Sequence, residues 1–472
     1  MFSIHDLYQQ KHYHACEKLC REQIKSDKRN LDSHKYLIRS LEGLGDISAA
    51  LKACDLALKQ FKKPQDKAEL LHLKAVILVK DNRLEAAAQS YEACLLKDPE
   101  RAATWFLQAS CLFELNRFGE CEKSVVEMLK RAANLPASAI GRGLYLLAQS
   151  RRSLTATALF KRFPQAESHI AVPYYHFALA ELYEREQNYA RALRHFDEGN
   201  RLVKEKSGYS IKDDMDTVGF YTSLSVENTV AVAVDESAPI PIFILGMPRT
   251  GSSLLEQMLG RHSSVLPMGE LDWLPQAVER TIQSLPPPRN RNQVRAACAD
   301  NQFLESIRDG YMESLPKINE RFFIDKLPGN FLYTGLIPEV FPGALMIHTR
   351  RDKIATIWSC YRTPFVDGQG FSHDLGDASL YFDAVDRATE SAGKQAPEHY
   401  LSVSYEELIA NPKLNLSLIL ERLKLPFEAA CLEHEKTERM VSTASRYQVT
   451  QPVYQGANEG WKAYESMLSG RI

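Results

Sequence analysis

The sequence predicts a chain in two parts, an α-helical solenoid at the N-terminus followed by a P-loop-like, three-layer α/β domain with a parallel sheet. Three observations carry this. A helix-period pattern recurs at separations of 34, 37, 34, 36 and 35 residues through the first 204. After Pro241, short apolar runs alternate with helical ones. The first of those runs ends in a turn of small residues that opens directly into an amphipathic helix. A length of 472 residues also exceeds what one hydrophobic core usually serves.

The recurring pattern is anchored at Tyr13, Ile47, Leu84, Phe118, Leu154 and Tyr189, and its spacing centres on the tetratricopeptide length. After each anchor comes a small residue at +3, a large one at +7 and a small or aliphatic one at +10, as in Ala87, Tyr91 and Cys94 or Ala192, Phe196 and Gly199. Small side chains let two helices approach and large ones fill the groove beside them, so five or six units stack. The unit at Leu154 is degenerate, because Thr157 stands where the small residue belongs. Two uses are open for such an array: a structural platform, homodimerisation included, or a groove that recruits a peptide or protein. Residues 1–204 are therefore assigned to the repeats and 205–239 to a linker that retains some helix, since the pattern there dissolves into Lys-Ser-Gly-Tyr-Ser and Asp-Glu-Ser-Ala-Pro.

Residues 240–472 form the α/β domain, with strands expected over 242–245, 322–324, 345–349 and 400–403. Ligands in such folds sit at the carboxyl ends of the strands, and each of these runs is followed at once by polar or charged residues. The first delivers Arg249, Thr250, Gly251, Ser252 and Ser253, a phosphate-type cradle in which unpaired helix amides, the helix dipole and small side chains favour an anion. Ser252 stands where a nucleotide-hydrolysing loop has its lysine, and no Mg²⁺ carboxylate is evident, so a nucleoside triphosphate with its metal is poorly served. The third delivers Arg351, with Ser359 eight residues on, and together they suit a second anion. Two such sites imply a ligand with two separated anionic groups. The alternative for Arg351 is a pairing with Asp352 or a loop cap.

Bulk composition narrows the partners. A formal net charge of −2 argues against nonspecific nucleic-acid binding, so any anion site is local. Nine cysteines without paired spacing read as reduced and mostly buried, and no grouping has metal-ligand spacing, so no metal is assigned. No apolar stretch long enough for a membrane and no signal-type leader is seen, which makes the cytosol the expected compartment.

Pro-Arg-Thr-Gly-Ser-Ser-Leu-Leu at 248–255, together with Arg351-Asp352 and Ser359, resembles the 5′-phosphosulfate and 3′-phosphate sites of the PAPS-dependent sulfotransferases. Within that family it is similar to the tyrosylprotein sulfotransferases and to bacterial proteins that fuse tetratricopeptide repeats to such a domain. The resemblance implies that Arg249 contacts the transferring sulfuryl group and that Thr250, Gly251, Ser252 and Ser253 cradle the 5′-phosphate. It implies Glu270 as catalytic base, Lys326 near the leaving phosphate, Tyr405 on the adenine side and Ser445 closing over the phosphosulfate. Relatives usually carry Lys or Arg before the last motif's tryptophan; here Gly460 precedes Trp461, and Lys462 follows it. Either Lys462 reaches the donor or one basic contact is missing.

Sulfuryl transfer from PAPS to a hydroxyl, leaving adenosine 3′,5′-bisphosphate, needs positioning, a base for the proton and a cation at the departing oxygen, and no metal. Glu270 is suited to take the hydroxyl proton, with a pocket around Trp273 expected to raise its pKa. The plainer readings are a dipole-favoured glutamate for Glu270, a solvated lysine for Lys326 and a core tyrosine for Tyr405. The acceptor is a protein tyrosine, another phenol or a carbohydrate hydroxyl. A P-loop kinase and an inactive repeat scaffold remain as alternatives.

Overall fold

The structure is a computed structural model and describes residues 3–131, 133, 135–151, 153–162, 172–224, 238–365, 368–436 and 459–472. It contains two compact units, Met1–Gly199 and Asn200–Ile472.

The first unit is built from helix pairs. In sequence they are Ile4–Gln9 with Tyr13–Ser26, Leu31–Gly43 with Ile47–Gln60, Pro64–Lys80 with Leu84–Leu95, Ala102–Glu114 with Phe118–Lys130, Ala137–Ser150 with Ala156–Arg162, and Pro173–Arg185 with Tyr189–Ser207. Five of the six anchors are the first residue of a second helix. The turn before each of these five closes in the same way. Lys11, Gly45, Asn82, Asn116 and Gln187 take left-handed φ values of 59°, 81°, 57°, 59° and 59°. The next amide then bonds a carbonyl five residues back, for example Arg83 N to Leu78 O at 2.8 Å and Arg117 N to Leu112 O at 2.9 Å.

Behind the anchors the small–large–small register points inward. Ala50, Cys54 and Ala57, then Ala87, Tyr91 and Cys94, then Cys121, Val125 and Met128 are all buried. Gly199 is small for a physical reason: a Cβ there would lie 3.2 Å from the Phe177 ring and 3.3 Å from His176 Cβ. In the degenerate repeat the second helix is described over Ala156–Arg162. All nine cysteines are free and buried.

The stretch expected as a junction is helical in its first part, since Tyr189–Ser207 runs into it and Ile211–Tyr221 lies within it. Lys204, the last residue of the segment assigned to the repeats, bonds Asp377 at 2.7 Å and Asp374 at 3.1 Å, and all three lie in the second unit.

Among its described residues the second unit holds five strands: β1 (Ile240–Gly246), β2 (Val265–Pro267), β3 (Phe322–Asp325), β4 (Leu345–Arg350) and β5 (Tyr400–Ser404). Every pairing is parallel, in the order β2-β3-β1-β4-β5. β2 is not among the expected strands; three residues are too few to show a period of two. β1 is buried on both faces, so it reads as one apolar run. Ile242 and Ile244 pack with Leu255, Met258, Ile347 and Leu420. Phe243 meets Tyr311 and Phe341 with ring centroids 5.9 and 5.6 Å apart.

The chain leaves β1 toward β3 and β2, then crosses β1 to reach β4. Strand order therefore reverses around β1, and the loops after β1, β3 and β4 end as neighbours at the carboxyl edge. No helix among the described residues is long and apolar enough to cross a membrane.

Candidate active site

The loop after β1 is held in a backbone path that most residues avoid. Gly246 has φ 127°, and a Cβ there would lie 2.7 Å from His348 Cδ2 and 3.1 Å from Thr349 O, so β4 passes too close for any side chain. Arg249 itself has φ 69°, a strained value for a residue other than glycine. Gly251 has φ 91° and caps the helix Ser252–Leu259 without any side-chain acceptor. A helix start so arranged, with Thr250, Ser252 and Ser253 buried around it, is suited to an anion.

The loop is tied down from β4 and the helix behind it. Thr250 Oγ1 donates to Met247 O at 2.7 Å and receives the Thr349 hydroxyl at 2.7 Å. Arg351 Nη1 donates to the carbonyl of Arg249 at 2.9 Å, and Arg249 Nε donates to Ser359 Oγ at 3.0 Å. Arg351 also lies over the Tyr405 ring, 5.0 Å from its centroid. That ring fills the space beside Gly251, where a Cβ would come within 2.5 Å of Tyr405 Cδ2.

Arg249, Arg351 with Ser359, and Tyr405, from three separate stretches of sequence, thus form one constellation. Asp352 is engaged elsewhere: its Oδ1 caps the helix Lys353–Tyr361 by accepting Ala355 N at 2.8 Å. Burial lowers the Arg351 guanidinium from its ordinary pKa, the mark of a cation removed from water. His348, beneath the same loop, is pushed down to about 3 by burial and is a neutral, structural imidazole.

At the exit of β3 a second group assembles. Lys326 is fully buried, and its Nζ donates to Glu270 Oε1 at 2.5 Å. The Glu270 side chain is 41% exposed, so the carboxylate opens to solvent while the ammonium does not. Trp273 packs against Tyr311 at 5.9 Å, and the partner of Glu270 is the lysine. The loop carrying Glu270 is pinned at Gly269, φ 84°, whose carbonyl accepts Lys326 N at 2.8 Å and whose amide donates to Glu256 Oε1 at 2.8 Å. Next to Lys326, the buried Asp325 accepts the Tyr311 hydroxyl at 3.2 Å. Burial raises its carboxyl to about 7 against the lowering effect of that bond.

One expected residue is not joined to this centre. Lys462 is exposed and bonds Glu459 at 2.8 Å. Ser445 lies outside the described residues. The position of Gly460 faces Arg362, whose Nη1 would be 4.0 Å from an added Cβ. The sequence reading missed Thr349 and Glu256. Glu256 had a visible signal, the single charge in the run Leu-Leu-Glu-Gln-Met-Leu. Among the described residues no group of three or more His, Cys, Asp or Glu could hold a metal.

Residues 241–429 match the sulfotransferase family. An uncharacterized protein of Aquifex aeolicus is 31% identical over 305 residues, 62% of this chain and 40% of that protein. Protein-tyrosine sulfotransferase 1 of Danio rerio is 28% identical over 204 residues, 41% of this chain and 56% of that protein. Among solved structures, the sulfotransferase domain of the Synechococcus PCC 7002 olefin synthase is 22% identical, covering 50% of this chain and 91% of its own, with a TM-score of 0.36. The chain thus spans about half the length of the curated relatives it matches. The matched segment coincides with the sheet and both residue groups described above, so it is in its C-terminal domain, which follows the helical repeats, that the chain is similar to the sulfotransferase family.

Proposed function

We propose that the C-terminal domain transfers the sulfuryl group of PAPS to a hydroxyl acceptor, with Glu270 as general base. The observation that carries this is the convergence on Arg249, whose side chain meets Ser359 and whose carbonyl meets Arg351. One compact ligand with two anionic ends would engage the helix start at 252 and the Arg351–Ser359 pair together. The donor is thus assigned to Arg249, Thr250, Gly251, Ser252 and Ser253 at one end and to Arg351 and Ser359 at the other. Tyr405 supports both, because it packs on Gly251 and under Arg351.

In the transfer, the acceptor oxygen bonds to sulfur as the sulfur–oxygen bond to the departing adenosine 3′,5′-bisphosphate breaks. Glu270 takes the hydroxyl proton. Lys326 and Arg249 offset the charge that grows on the leaving oxygen, a role in which fixed cations in a partly desolvated site are effective. The contact between Lys326 and Glu270 supports this division, since cation and base lie within one hydrogen bond of each other. Ser445 is assigned to closing over the phosphosulfate and Lys462 to an outer contact with the donor.

A tyrosyl or other phenolic hydroxyl is the acceptor we favour, supported by the protein-tyrosine sulfotransferases among the relatives. The stacked helix pairs of the first unit are assigned to holding a peptide that carries it. Labelled PAPS incubated with the protein and a panel of tyrosyl peptides, small phenols and sugars tests donor and acceptor together. Glu270→Ala should all but abolish transfer, leaving a small residual turnover, while adenosine 3′,5′-bisphosphate binding stays nearly intact; unchanged turnover would remove the base assignment. Tighter binding of ATP with Mg²⁺ than of PAPS would favour a kinase instead.

A further inference from the structure

Glu256 is buried to 1% exposure in the second turn of the helix that starts at Ser252. A carboxylate there is electrostatically awkward. It stands below the end of a helix suited to anions, where its charge opposes any phosphate, and it lies close enough to Asp325 to oppose that group's ionisation. Buried charges persist where specific hydrogen bonds hold them. One such bond here is from the amide of Gly269, at 2.8 Å.

Gly269 is the residue before Glu270, and its peptide units are gripped from two sides. Its amide goes to Glu256, on the helix that follows β1, and its carbonyl accepts from Lys326 N, at the exit of β3, at 2.8 Å. Just upstream, Met268 N bonds Ile324 O at 3.1 Å, so the loop continues the edge of β3 up to this point. Gly269, at φ 84°, has the broad backbone freedom of glycine, so its orientation depends on the groups that hold its peptide. Glu270 beyond it is exposed, with Lys326 as its side-chain partner. The aim of the Glu270 carboxylate is therefore set by how firmly the Gly269 peptide is held.

We propose that Glu256 is a positioning residue for the reaction: it fixes the Gly269 amide and so ties the aim of Glu270 to the same helix whose first turn receives the donor. The inference rests on the assignment of Glu270 as base. Through this link the base and the donor cradle move as one body. An in-line transfer needs that, because misplacement by about 1 Å costs on the order of 100-fold in rate.

Two substitutions separate the hydrogen bond from the charge. Glu256→Gln keeps the acceptor oxygen and removes the charge, whereas Glu256→Asp keeps the charge and withdraws the oxygen by one methylene. The expected result is a fall in kcat of about 10- to 100-fold for Glu256→Asp, with the Kd for adenosine 3′,5′-bisphosphate and KM for PAPS within threefold of the unaltered chain. Glu256→Gln should recover kcat to within a few-fold. In a Glu270→Ala background, Glu256→Asp should change residual turnover little, because its effect passes through the missing carboxylate. Glu256→Met, which keeps volume and deletes the acceptor, serves should the aspartate variant not fold, and should behave as it does.

The reverse pattern, an active Asp variant and an inactive Gln variant, would overturn the proposal in favour of a charge effect. Equal losses in kcat and in bisphosphate affinity would overturn it in favour of support for the cradle. Transfer left unchanged by Glu270→Ala would remove the base assignment and this proposal with it. A chain that binds the bisphosphate and loses transfer with Glu270→Ala, yet is indifferent to Glu256→Asp and Glu256→Met, would sink this inference alone.

Discussion

At the scale of single residues, the site is organised by side chains that hold backbone. Arg351 spends one donor on the carbonyl of Arg249 and its face on Tyr405. Replacing it with alanine should weaken adenosine 3′,5′-bisphosphate far more than adenosine 5′-monophosphate, by roughly 10- to 100-fold in the ratio of the two Kd values, since a charge-assisted bidentate contact is worth about 1.5–3 kcal/mol. Equal losses for the two nucleotides in titration calorimetry would refute the 3′-phosphate assignment.

Asp325 gives a pH signature. Its carboxyl moves from an ordinary 3.8 to about 7 on folding, because burial penalises the charged form. Between those values the folded chain holds a proton that the unfolded chain has released, so this group's contribution falls as pH rises from about 4 to about 7. Burial lowers His373 to about 4, and that group works in the opposite direction as pH rises toward the ordinary imidazole value. Subtracting the variant from the parent isolates one from the other. Asp325→Asn should flatten the decline in melting temperature across this window, at about 1.4 kcal/mol per pKa unit. Identical curves for both proteins would contradict the assignment.

At the scale of elements, the repeats and the cradle both depend on left-handed residues, with different consequences. In the helix turns, Asn82, Asn116, Lys11 and Gln187 adopt φ near 60° where glycine would sit without strain. Gln187→Gly should therefore be neutral or stabilising by about 0.5–1 kcal/mol, read as a rise in denaturation midpoint, and Gln187→Val should destabilise. In the cradle the position is already glycine and space is absent as well. Gly251→Ala combines φ 91° with a 2.5 Å approach to Tyr405. It should cost about 1–3 kcal/mol or more and weaken donor binding, because the ring it displaces also backs Arg351. Intact stability together with intact bisphosphate affinity in that variant would show that the loop tolerates a different path.

At the scale of the whole molecule, two compact units carry separate cores, so denaturation should not follow a single two-state curve. Adenosine 3′,5′-bisphosphate at 100 times its Kd should stabilise only the transition of the unit Asn200–Ile472, by about 2.7 kcal/mol. A uniform shift of the entire melting profile would mean that the units unfold together.

The sequence by itself determined what depends on neighbours along the chain. The anchors, the small–large–small register and the apolar strands repeat at periods that local geometry imposes, and a small-residue turn between strand and helix is legible wherever it occurs. Tertiary structure alone decided which distant groups meet. Arg249 and Ser359 lie 110 residues apart, and Arg351 chose the Arg249 carbonyl while Asp352 turned to its own helix. β2 formed on three residues because β3 offered an edge. Glu256 met Gly269 because strand order reverses around β1 and folds the loops after neighbouring strands onto one another. Periodicity is a property of local backbone, whereas hydrogen-bond partners are set by the order of strands in the sheet, which no window of sequence contains.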